Sequence, residues 1–458
     1  NGTGAASNYS LNSTVINISQ TSVDLSGSKT YDGNTTISNS SVNVASGLIG
    51  SETLSLTGVV NANNANVGSY SASGGTLNMG STTIALANGA NGGLAANYAI
   101  NDGNFTITQR VVGVSGTRLY DATTNAVASD LATHANLVGS QTLTLSGTGT
   151  IASKNVGSNK TVSIGTLALG NGSNGGLAGN YTLTGGTHQL TVNPRPLNAT
   201  LARQYDATTT SAGSTLSSFD ALQGGENLTM SGSGTAASKN VANGIAMSSN
   251  GTLALVDGTG LASNYSLNST VINISKRVLN SSGSKLYDAN TNALASAITL
   301  SNLASTETLV DSGTASTSSA NAGSYTISNL TGISIADGTN GGLASNYTLT
   351  GGTHNFTVNQ RPLNATLARQ YDATTTSAGS TLSSFDALQG GETLTMTGSG
   401  TAASKNVANG IAMASNGTLA LANGTGAASN YSLNSTVINI SKRVLNSSGS
   451  KTYDANTN

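Results

Sequence analysis

The sequence predicts an all-β protein: a linear tandem array of small immunoglobulin-like β-sandwich domains of about 84 residues each, which together form an elongated rod. Two kinds of observation lead to this prediction. Segments such as residues 141–146 and 270–275 alternate apolar with small polar residues, which is the period-2 pattern of a half-buried strand. Asn-Gly, Gly-Gly and Asp-Gly pairs separate these segments about every 8–12 residues, a spacing that is typical of sandwiches. About six or seven strands per domain are therefore expected.

The composition excludes several classes of protein. Charged residues make up 8% of the 458 residues and the net charge is −1, whereas roughly 25% charged residues is usual for a soluble domain. Without a basic surface, binding to nucleic acid is not expected. The absence of Cys excludes disulfides, and no apolar run is long enough to span a bilayer. The core should be thin and built from small side chains.

A single unit is repeated along the chain. The tyrosines of six Asn-Tyr pairs lie 89, 83, 84, 82 and 84 residues apart, and those of six Tyr-Asp pairs lie 89, 85, 82, 84 and 82 residues apart. Residues 195–255 recur as residues 361–421 with three differences, which indicates that two alternating unit types were duplicated as a pair. The predicted segments are 1–19 (the end of a truncated repeat), 20–108 (repeat 1), 109–193 (repeat 2), 194–275 (repeat 3), 276–359 (repeat 4), 360–441 (repeat 5) and 442–458 (the start of a truncated repeat).

A β-solenoid is the alternative architecture for a chain rich in Gly, Ser and Asn. It would need a rung-length period of roughly 20–30 residues. No such period occurs inside the 84-residue unit. The sequence therefore favours discrete domains.

The first recurring motif is a basic residue, any residue, Tyr and Asp. On a strand, residues two apart share a face, so we expect the cation to lie beside the Tyr ring. The Asp should accept backbone N–H groups two residues further on, as in an Asx-turn. This motif is interpreted as structural, and it comprises Lys29, Tyr31 and Asp32; Arg118, Tyr120 and Asp121; Arg203, Tyr205 and Asp206; Lys285, Tyr287 and Asp288; Arg369, Tyr371 and Asp372; and Lys451, Tyr453 and Asp454.

A second acidic position follows about twenty residues later. It is occupied by Glu52, Glu226, Glu307 and Glu392, whereas repeat 2 has Gln141 there. A catalytic carboxylate would not survive exchange for an amide, and calcium sites usually gather several acidic oxygens. No catalytic, cofactor-binding or metal-binding residue is therefore predicted.

The third motif is Gly-(Leu/Ala)-Ala-x-Asn-Tyr near the end of each unit. We expect the Tyr to plug one end of the core and the Asn to cap a turn. The segment 181–192, with a Gly-Gly pair in its middle, is expected to form a hairpin. The members of this motif are Asn97 and Tyr98, Asn180 and Tyr181, Asn264 and Tyr265, Asn346 and Tyr347, and Asn430 and Tyr431.

Two further features concern the strand surfaces and the linkers. His188 and His354 hold equivalent positions and are interpreted as surface residues of a strand, isolated from other ligands. The joints between units carry an Arg, and strand-like residues abut on both sides of it; these are Arg110, Arg195, Arg277, Arg361 and Arg443. Linkers this short leave little room for the domains to swing, which favours a semi-rigid rod.

The motifs together resemble the YDG domain and the mostly-β, glycine-rich MBG repeats that accompany it. The resemblance rests on Lys/Arg-x-Tyr-Asp-(Gly/Ala)-x-Thr, Gly-x-Glu-Thr-Leu, Lys154-Asn155-Val156-Gly157 and Asn-Tyr-Thr-Leu in fixed order. The sequence departs from the family where Ala replaces Gly after Tyr-Asp in five of six copies, and where Lys-Asn-Val is replaced around Asn66 and Asn321. The resemblance implies a large filamentous-haemagglutinin-like adhesin, secreted by a two-partner system to the cell surface of a Gram-negative bacterium. The family supplies no catalytic residues.

We therefore expect a structural stalk or fibre segment that projects a binding region or builds an extracellular filament or biofilm matrix, and not an enzyme. One alternative is a repeated multivalent binding module for glycans or another surface. Another is a fibre that polymerises through edge strands, with residues 15–18 and their copies as donors. The expected partners are neighbouring repeats, other copies of the fibre or surface glycans, with no nucleic acid, no cofactor and no membrane insertion.

Overall fold

The computed structural model describes residues 3–72, 83–327 and 330–454. In these residues the regular structure consists of β-strands and three-residue 3-10 helices, which confirms the predicted all-β class. Internal contacts divide the chain into two units: Asn1–Asn198 with Phe219–Thr229 and Leu255–Asn268, and Ala199–Ser218 with Met230–Ala254 and Ser269–Asn458. The division runs through predicted repeat 3. The repeat boundaries stay a prediction, and repeats 1 to 5 serve below as names for chain segments.

The strands of each repeat follow one another with short turns. Repeat 1 contains β1 (Thr21–Thr30), β2 (Thr36–Ser38), β3 (Val42–Ser46), β4 (Leu54–Thr57), β5 (Val59–Asn61), β6 (Gly68–Ala72), β7 (Ala85–Asn88) and β8 (Tyr98–Thr108). Repeat 2 contains β9 (Arg110–Val111), β10 (Gly113–Leu119), β11 (Asn125–Val127), β12 (Thr133–Ala135), β13 (Leu143–Ser146), β14 (Thr148–Ile151), β15 (Gly157–Ser163), β16 (Ala168–Asn171), β17 (Tyr181–Thr182) and β18 (His188–Asn193). Repeat 3 contains β19 (Arg195–Gln204), β20 (Thr210–Ala212), β21 (Leu216–Phe219), β22 (Leu228–Ser231), β23 (Ser233–Ala236), β24 (Ala242–Ser249), β25 (Ala254–Asp257) and β26 (Tyr265–Ser275).

The last two repeats and the short helices complete the set. Repeat 4 contains β27 (Arg277–Val278), β28 (Asn280–Leu286), β29 (Asn292–Leu294), β30 (Ile298–Ser301), β31 (Leu309–Ser316), β32 (Gly323–Thr326), β33 (Ile333–Asp337), β34 (Tyr347–Thr348) and β35 (His354–Asn359). Repeat 5 contains β36 (Arg361–Gln370), β37 (Thr376–Ala378), β38 (Leu382–Phe385), β39 (Leu394–Thr397), β40 (Ser399–Ala402), β41 (Ala408–Ser415), β42 (Ala420–Asn423) and β43 (Tyr431–Ser441). The 3-10 helices are Ala6–Asn8, Asn39–Ser41, Ala95–Asn97, Ala128–Asp130, Ala178–Asn180, Gly213–Thr215, Ala262–Asn264, Ala295–Ala297, Ala344–Asn346, Gly379–Thr381 and Ala428–Asn430.

Repeat 5 illustrates the sandwich-like architecture. Its main sheet has the order β37-β40-β41-β43-β36-β38, and β39 pairs with β42 in a second, two-stranded sheet. The first strand and the last strand of the repeat pair in parallel, from Arg361 with Tyr431 to Gln370 with Ser441. The other repeats likewise carry more than one sheet, so tandem sandwich-like domains account for the fold without a solenoid.

The core of repeat 5 follows strand alternation. Ala365 and Leu367 point inward from β36, and Ile438 and Ile440 meet them from β43. All four are at most 1% exposed. The buried residues of this core cluster are Ala, Leu, Ile and Met, so it contains no fully buried aromatic ring.

The predicted hairpin at residues 181–192 is wrong. β17 pairs in parallel with β9, and β18 pairs in parallel with β10, so the chain keeps one direction. The register advances by three residues between Tyr181–Arg110 and His188–Val114. The Gly-Gly pair therefore makes a local outward loop within one strand direction, closed by the Gly186 N–H bond to the Leu183 carbonyl at 2.9 Å.

The predicted surface location of His188 and His354 is also wrong. Their exposed fractions are 5% and 1%, and each ring Nε2 lies within hydrogen-bond distance of a carbonyl, that of Leu183 at 2.8 Å and that of Leu349 at 2.7 Å. In repeat 2 the histidine shares the inward face of β18 with Leu190 and Val192, two and four residues further on. Strand parity alone places it in the core.

Two terminal segments repeat strand sequences without forming strands. Residues 9–19 have the same sequence as β43, yet they are exposed and carry no strand. Residues 442–451 repeat residues 276–285, which include most of β28, and they too are exposed. β43 forms between β36 and β41, and such neighbours do not flank residues 9–19 in the described part of the chain.

We expect Gly176→Ala to destabilise repeat 2 by about 1–3 kcal/mol, because a Cβ there would lie 1.9 Å from the Thr142 carbonyl oxygen. The midpoint of urea unfolding measures this. Gly179→Ala is the matched control, since a Cβ at Gly179 meets nothing within 4 Å and repeat 1 carries Ala96 there. Equal effects of the two substitutions would contradict the close-approach explanation.

Candidate functional site: the joint between consecutive repeats

The two Tyr motifs meet at the boundary between consecutive repeats. The Tyr of Tyr-Asp in one repeat packs edge-to-face against the Tyr of Asn-Tyr in the next, with ring centroids 5.2–5.5 Å apart and interplanar angles of 77–79°. Such pairs contribute about 0.5–1.5 kcal/mol beyond their buried area. We call these contacts joints 1 to 4; each lies within one of the two units, and the pairs are Tyr31–Tyr181, Tyr120–Tyr265, Tyr205–Tyr347 and Tyr287–Tyr431.

The second acidic position supplies the shared acceptor of each Tyr pair. In joint 2, the Tyr120 hydroxyl donates to Oε1 of Glu226 at 2.6 Å, and the Tyr265 hydroxyl donates to Oε2 at 2.8 Å. One carboxylate thus ties together two phenols that belong to different repeats. The same pattern holds in joint 3, where Tyr205 and Tyr347 donate to Glu307 at 2.7 and 2.6 Å, and in joint 4, where Tyr287 and Tyr431 donate to Glu392 at 2.6 Å each.

Joint 1 replaces the carboxylate with an amide. Nε2 of Gln141 donates to the Tyr31 hydroxyl at 2.9 Å, and the Tyr181 hydroxyl donates to Oε1 of Gln141. An amide offers both a donor and an acceptor, so one phenol can accept while the other donates. The exchange of Glu for Gln therefore preserves the joint, which supports the structural interpretation of this position.

The Asn of Asn-Tyr docks onto a loop of the preceding repeat. In joint 2, Oδ1 of Asn264 accepts the Val156 N–H at 2.9 Å, and its Nδ2 donates to Oδ1 of Asn155 at 3.0 Å. The Asn that was expected to cap a turn thus accepts a backbone N–H from a loop of the preceding repeat. The equivalent contacts are Asn180 with Asn66 and Val67, Asn346 with Asn240 and Val241, and Asn430 with Asn321 and Ala322.

Basic residues add two further kinds of contact to the joints: a Lys binds the acceptor Glu in two of them, and an Arg binds a backbone carbonyl. Lys154 donates to Glu226 at 2.6 Å in joint 2, and Lys239 donates to Glu307 at 3.0 Å in joint 3. The Arg that begins a repeat reaches back to the carbonyl of the preceding Tyr. Nε of Arg195 donates to the Tyr120 oxygen at 2.6 Å, with counterparts in Arg361 to Tyr287, Arg110 to Tyr31 and Arg277 to Tyr205.

In the described residues, the cation recorded over the ring of a Tyr-Asp tyrosine is Lys154, 5.9 Å from the Tyr120 centroid, and not the basic residue of the motif. Arg118 forms an ion pair with Asp121, and its Nη2 donates to the Thr123 carbonyl at 2.7 Å. The expected cation–π contact is thus wrong at this position, because a carboxylate and a carbonyl bind a guanidinium more strongly than an aromatic face does. The predicted Asx-turn is confirmed, since Oδ1 of Asp121 accepts the Thr123 N–H at 2.9 Å.

The residue after Tyr-Asp explains why the family carries Gly there. Ala122, Ala207, Ala289 and Ala373 have φ between 63° and 71°, and Gly33 has φ of 77°. In this left-handed region an L-residue is disfavoured by roughly 1–2 kcal/mol relative to Gly. The turn tolerates Ala because the Asp and the basic residue hold it from both sides.

Burial and hydrogen bonding keep the joint in one protonation state. Burial first, and then hydrogen bonds to the carboxylates, raise the pKa of Tyr205, Tyr265 and Tyr347 to about 12. Burial alone would raise the pKa of Glu307, but hydrogen bonds from Tyr347, Tyr205 and Lys239 lower it overall. The same balance lowers the pKa of Glu226. Neutral phenols therefore face ionised carboxylates at neutral pH.

The joint brings together most of the predicted Tyr and Asn residues, but not all. Tyr98 donates to Glu52 of its own repeat, beside the exposed Asn97, and Tyr371 stays half-buried with no ring contact to a following repeat in the described residues. In contrast, the Tyr-Asp tyrosines of joints 1 to 4 are at most 3% exposed. The basic and Asp residues of the motif form ion pairs: beside joints 1 to 4 these are Lys29–Asp32, Arg118–Asp121, Arg203–Asp206 and Lys285–Asp288, and beside Tyr371 the pair is Arg369–Asp372.

Sequence reasoning missed the acceptor Glu or Gln, the Lys and the docking loop as parts of one site. Tyr120 and Glu226 lie 106 residues apart, which is longer than one repeat. The available signal was that these positions recur with the same period as the tyrosines. The arrangement binds one repeat to the next, and among the described residues no group of three His, Asp or Glu side chains could hold a metal ion.

Replacing Asn240 by Ala should weaken joint 3 by about 1–3 kcal/mol, because it leaves the Asn346 amide buried without its acceptor. Hydrogen exchange of the Val241 N–H, which donates to Asn346 at 2.9 Å, measures the opening of this joint. Asn406→Ala is the matched control, since Asn406 holds the equivalent position in repeat 5 and is exposed. Peptides that include Ser231 or Ser248 distinguish repeat 3 from repeat 5. An unchanged exchange rate in Asn240→Ala would contradict the docking role.

Stability should fall at alkaline pH. The pKa of Tyr205, Tyr265 and Tyr347 is raised from 10.0 to about 12, so their contribution is complete below pH 10 and is lost as the pH rises through about 12. A titration that follows tyrosinate absorbance and circular dichroism together should show a late ionisation step that coincides with loss of β-structure. Tyr205→Phe should reduce the amplitude of that step. Complete ionisation of the tyrosines near pH 10 with intact β-structure is the contrary outcome.

Comparison with known proteins identifies the repeat. The YDG domain model matches residues 104–190, 188–272, 275–354 and 358–438. No curated protein matches the chain. No helix of the described residues is long and apolar enough to cross a membrane. Since the four matches cover well over half of the 458 residues, the chain belongs to the YDG domain family.

Proposed function

We propose that this chain is a stalk or fibre segment of a large secreted adhesin, in which the repeats serve as a spacer that projects a binding region from the cell surface. The tandem YDG repeats make the chain a repeated structural or binding module. One observation supports a spacer: the recurring Tyr, Asn and Glu or Gln residues form contacts between consecutive repeats. Residues used to bind the next repeat are not available for a substrate.

The joints also support a stiff connection. Only one residue separates β8 from β9 and β18 from β19, so the linkers are almost absent. At each boundary an aromatic pair, a shared acceptor and an Asn bridge restrain the orientation of the two repeats. Several restraints at different points resist bending better than a linker alone does.

A catalytic role is not part of this proposal. The carboxylates that face the tyrosines are enclosed, with Glu226 at 8% and Glu307 at 2% side-chain exposure. Each one already accepts two phenol hydrogens and an ammonium hydrogen. A general base must lie within hydrogen-bond reach of its substrate, and the low exposure of these carboxylates denies that reach.

The bacterial setting of the proposal rests on the family resemblance. Secretion to the surface of a Gram-negative cell, and a place in a filament or biofilm matrix, agree with a chain that has 8% charged residues and no Cys. Immunolabelling of intact cells with antibodies against the repeats tests this location. Labelling only after the cells are permeabilised would count against it.

The purified chain should behave as a thin rod. With about 30–40 Å per repeat, five repeats would reach on the order of 150–200 Å. Electron microscopy and small-angle scattering measure the length and the stiffness. Glu307→Ala, which removes the shared acceptor of joint 3, should broaden the distribution of bend angles at that joint. A compact particle, or a flexible chain without a preferred length, would contradict the spacer function. Binding of isolated chains to a glycan array would instead favour the multivalent binding module.

A further inference from the structure

The four joints share one geometry but differ in charge. The residue before the loop Asn that accepts the Asn-Tyr amide is Lys154 in joint 2, before Asn155, and Lys239 in joint 3, before Asn240. Both lysines bind the acceptor Glu of the next repeat. Ala65 holds this position in joint 1 and Ala320 holds it in joint 4. We call this residue the loop position and the Glu or Gln the acceptor position.

In three joints the two positions are matched in charge. Joints 2 and 3 combine Lys with Glu at 2.6 and 3.0 Å, and joint 1 combines Ala65 with the neutral Gln141. Joint 4 is different, because Ala320 faces an acceptor that is Glu392. Its carboxylate accepts the hydroxyls of Tyr287 and Tyr431 but receives no ammonium group from the loop position.

The absence of Lys at joint 4 is not caused by a different loop conformation. The Ala322 N–H donates to Oδ1 of Asn430 at 2.8 Å, and Nδ2 of Asn430 donates to Asn321 at 3.0 Å. The corresponding distances in joint 2 are 2.9 and 3.0 Å. A Lys side chain at residue 320 would therefore start from the same backbone position as Lys154.

The other charged group of the joint is the same in both cases. Nε of Arg361 donates to the Tyr287 carbonyl at 2.6 Å in joint 4, and Nε of Arg195 donates to the Tyr120 carbonyl at 2.6 Å in joint 2. Repeats 3 and 5, which supply the acceptor Glu, are almost identical in sequence. Joints 2 and 4 thus share a nearly identical acceptor repeat, and their loops differ at the loop position, in Val156 against Ala322, and in Tyr325, whose hydroxyl donates to the Asn321 carbonyl at 2.6 Å.

We propose that the loop position and the acceptor position form a charge-matching pair that decides which repeat faces fit each other, and that joint 4, being mismatched, opens most readily. This inference rests on the joint geometry and goes beyond the spacer function, since a spacer could have four equal joints. Removing a carboxylate from water costs free energy, and a nearby cation offsets part of that cost. A partly enclosed carboxylate without a cation lacks this offset. Either a Lys at the loop position or a neutral amide at the acceptor position relieves that cost.

The test uses the same substitution in the two related joints of the full chain. Glu392→Gln reproduces the neutral pair of joint 1, so it should leave joint 4 as tight or tighter. Glu226→Gln removes the ion pair with Lys154 and should loosen joint 2 by about two- to fivefold, the range for a half-exposed ion pair. The Val156 N–H reports joint 2 and the Ala322 N–H reports joint 4, because each donates across its own joint.

Hydrogen exchange with mass spectrometry gives the readout, since residues 152–160 and 318–326 have unique sequences. In the unchanged protein, the protection factor of Ala322 should be lower than that of Val156. Opposite responses to Glu392→Gln and Glu226→Gln support the proposal. Loosening of both joints by a similar factor, or equal protection of the two amides in the unchanged protein, overturns it.

A second variant adds the missing cation to joint 4 and keeps the Glu392 carboxylate. Ala320→Lys should raise the protection of Ala322 by about two- to fivefold while Glu392 is present. The same substitution combined with Glu392→Gln should give no such gain, because the ammonium group then lacks its partner. An equal gain in both backgrounds would show that the Lys acts through packing, and would also overturn the proposal.

Discussion

The hydrogen-bonded acceptor between two phenols is the interaction on which the array depends. Its carboxylate or amide and one phenol belong to the following repeat, and the other phenol belongs to the preceding repeat. A buried polar group costs roughly 1–3 kcal/mol when it loses its partner. At each joint, polar groups of one repeat therefore find their hydrogen-bond partners in the next repeat. These hydrogen bonds and the buried area together couple the domains.

This arrangement makes sense of an unusual composition. Charged residues are scarce, at 8%. Several of them form ion pairs at the turn after Tyr-Asp and across the joints. The ion pair between Arg118 and Asp121 holds the turn that follows Tyr120, and the turn sets the direction of the ring at the strand end. A second ion pair, between Lys154 and Glu226, lies across the joint itself. Neutral Ser, Thr and Asn side chains cover much of the remaining surface.

Sequence reasoning succeeded where the physics is local. Alternation predicts strands, Asp121 predicts its Asx-turn, and the recurring motifs predict the repeat. It failed where the partner comes from elsewhere in the chain. The segment around Gly186 looks like a hairpin, but its two halves pair in parallel with β9 and β10, the first two strands of the repeat. His188 is polar, which suggests a surface position, but it has the inward parity of β18 and is buried.

The sequence by itself determined the alternating pattern, the turn chemistry and the period, because these depend on residues that are close together in the chain. Tertiary structure alone decided which segments become strands and what the motifs bind. Residues 431–441 form a strand because β36 and β41, which come earlier in the chain, supply hydrogen-bonding neighbours to its backbone. In the same way, Tyr120 finds its acceptor 106 residues away in the next repeat. Backbone and phenol groups need partners, and the fold determines where those partners lie.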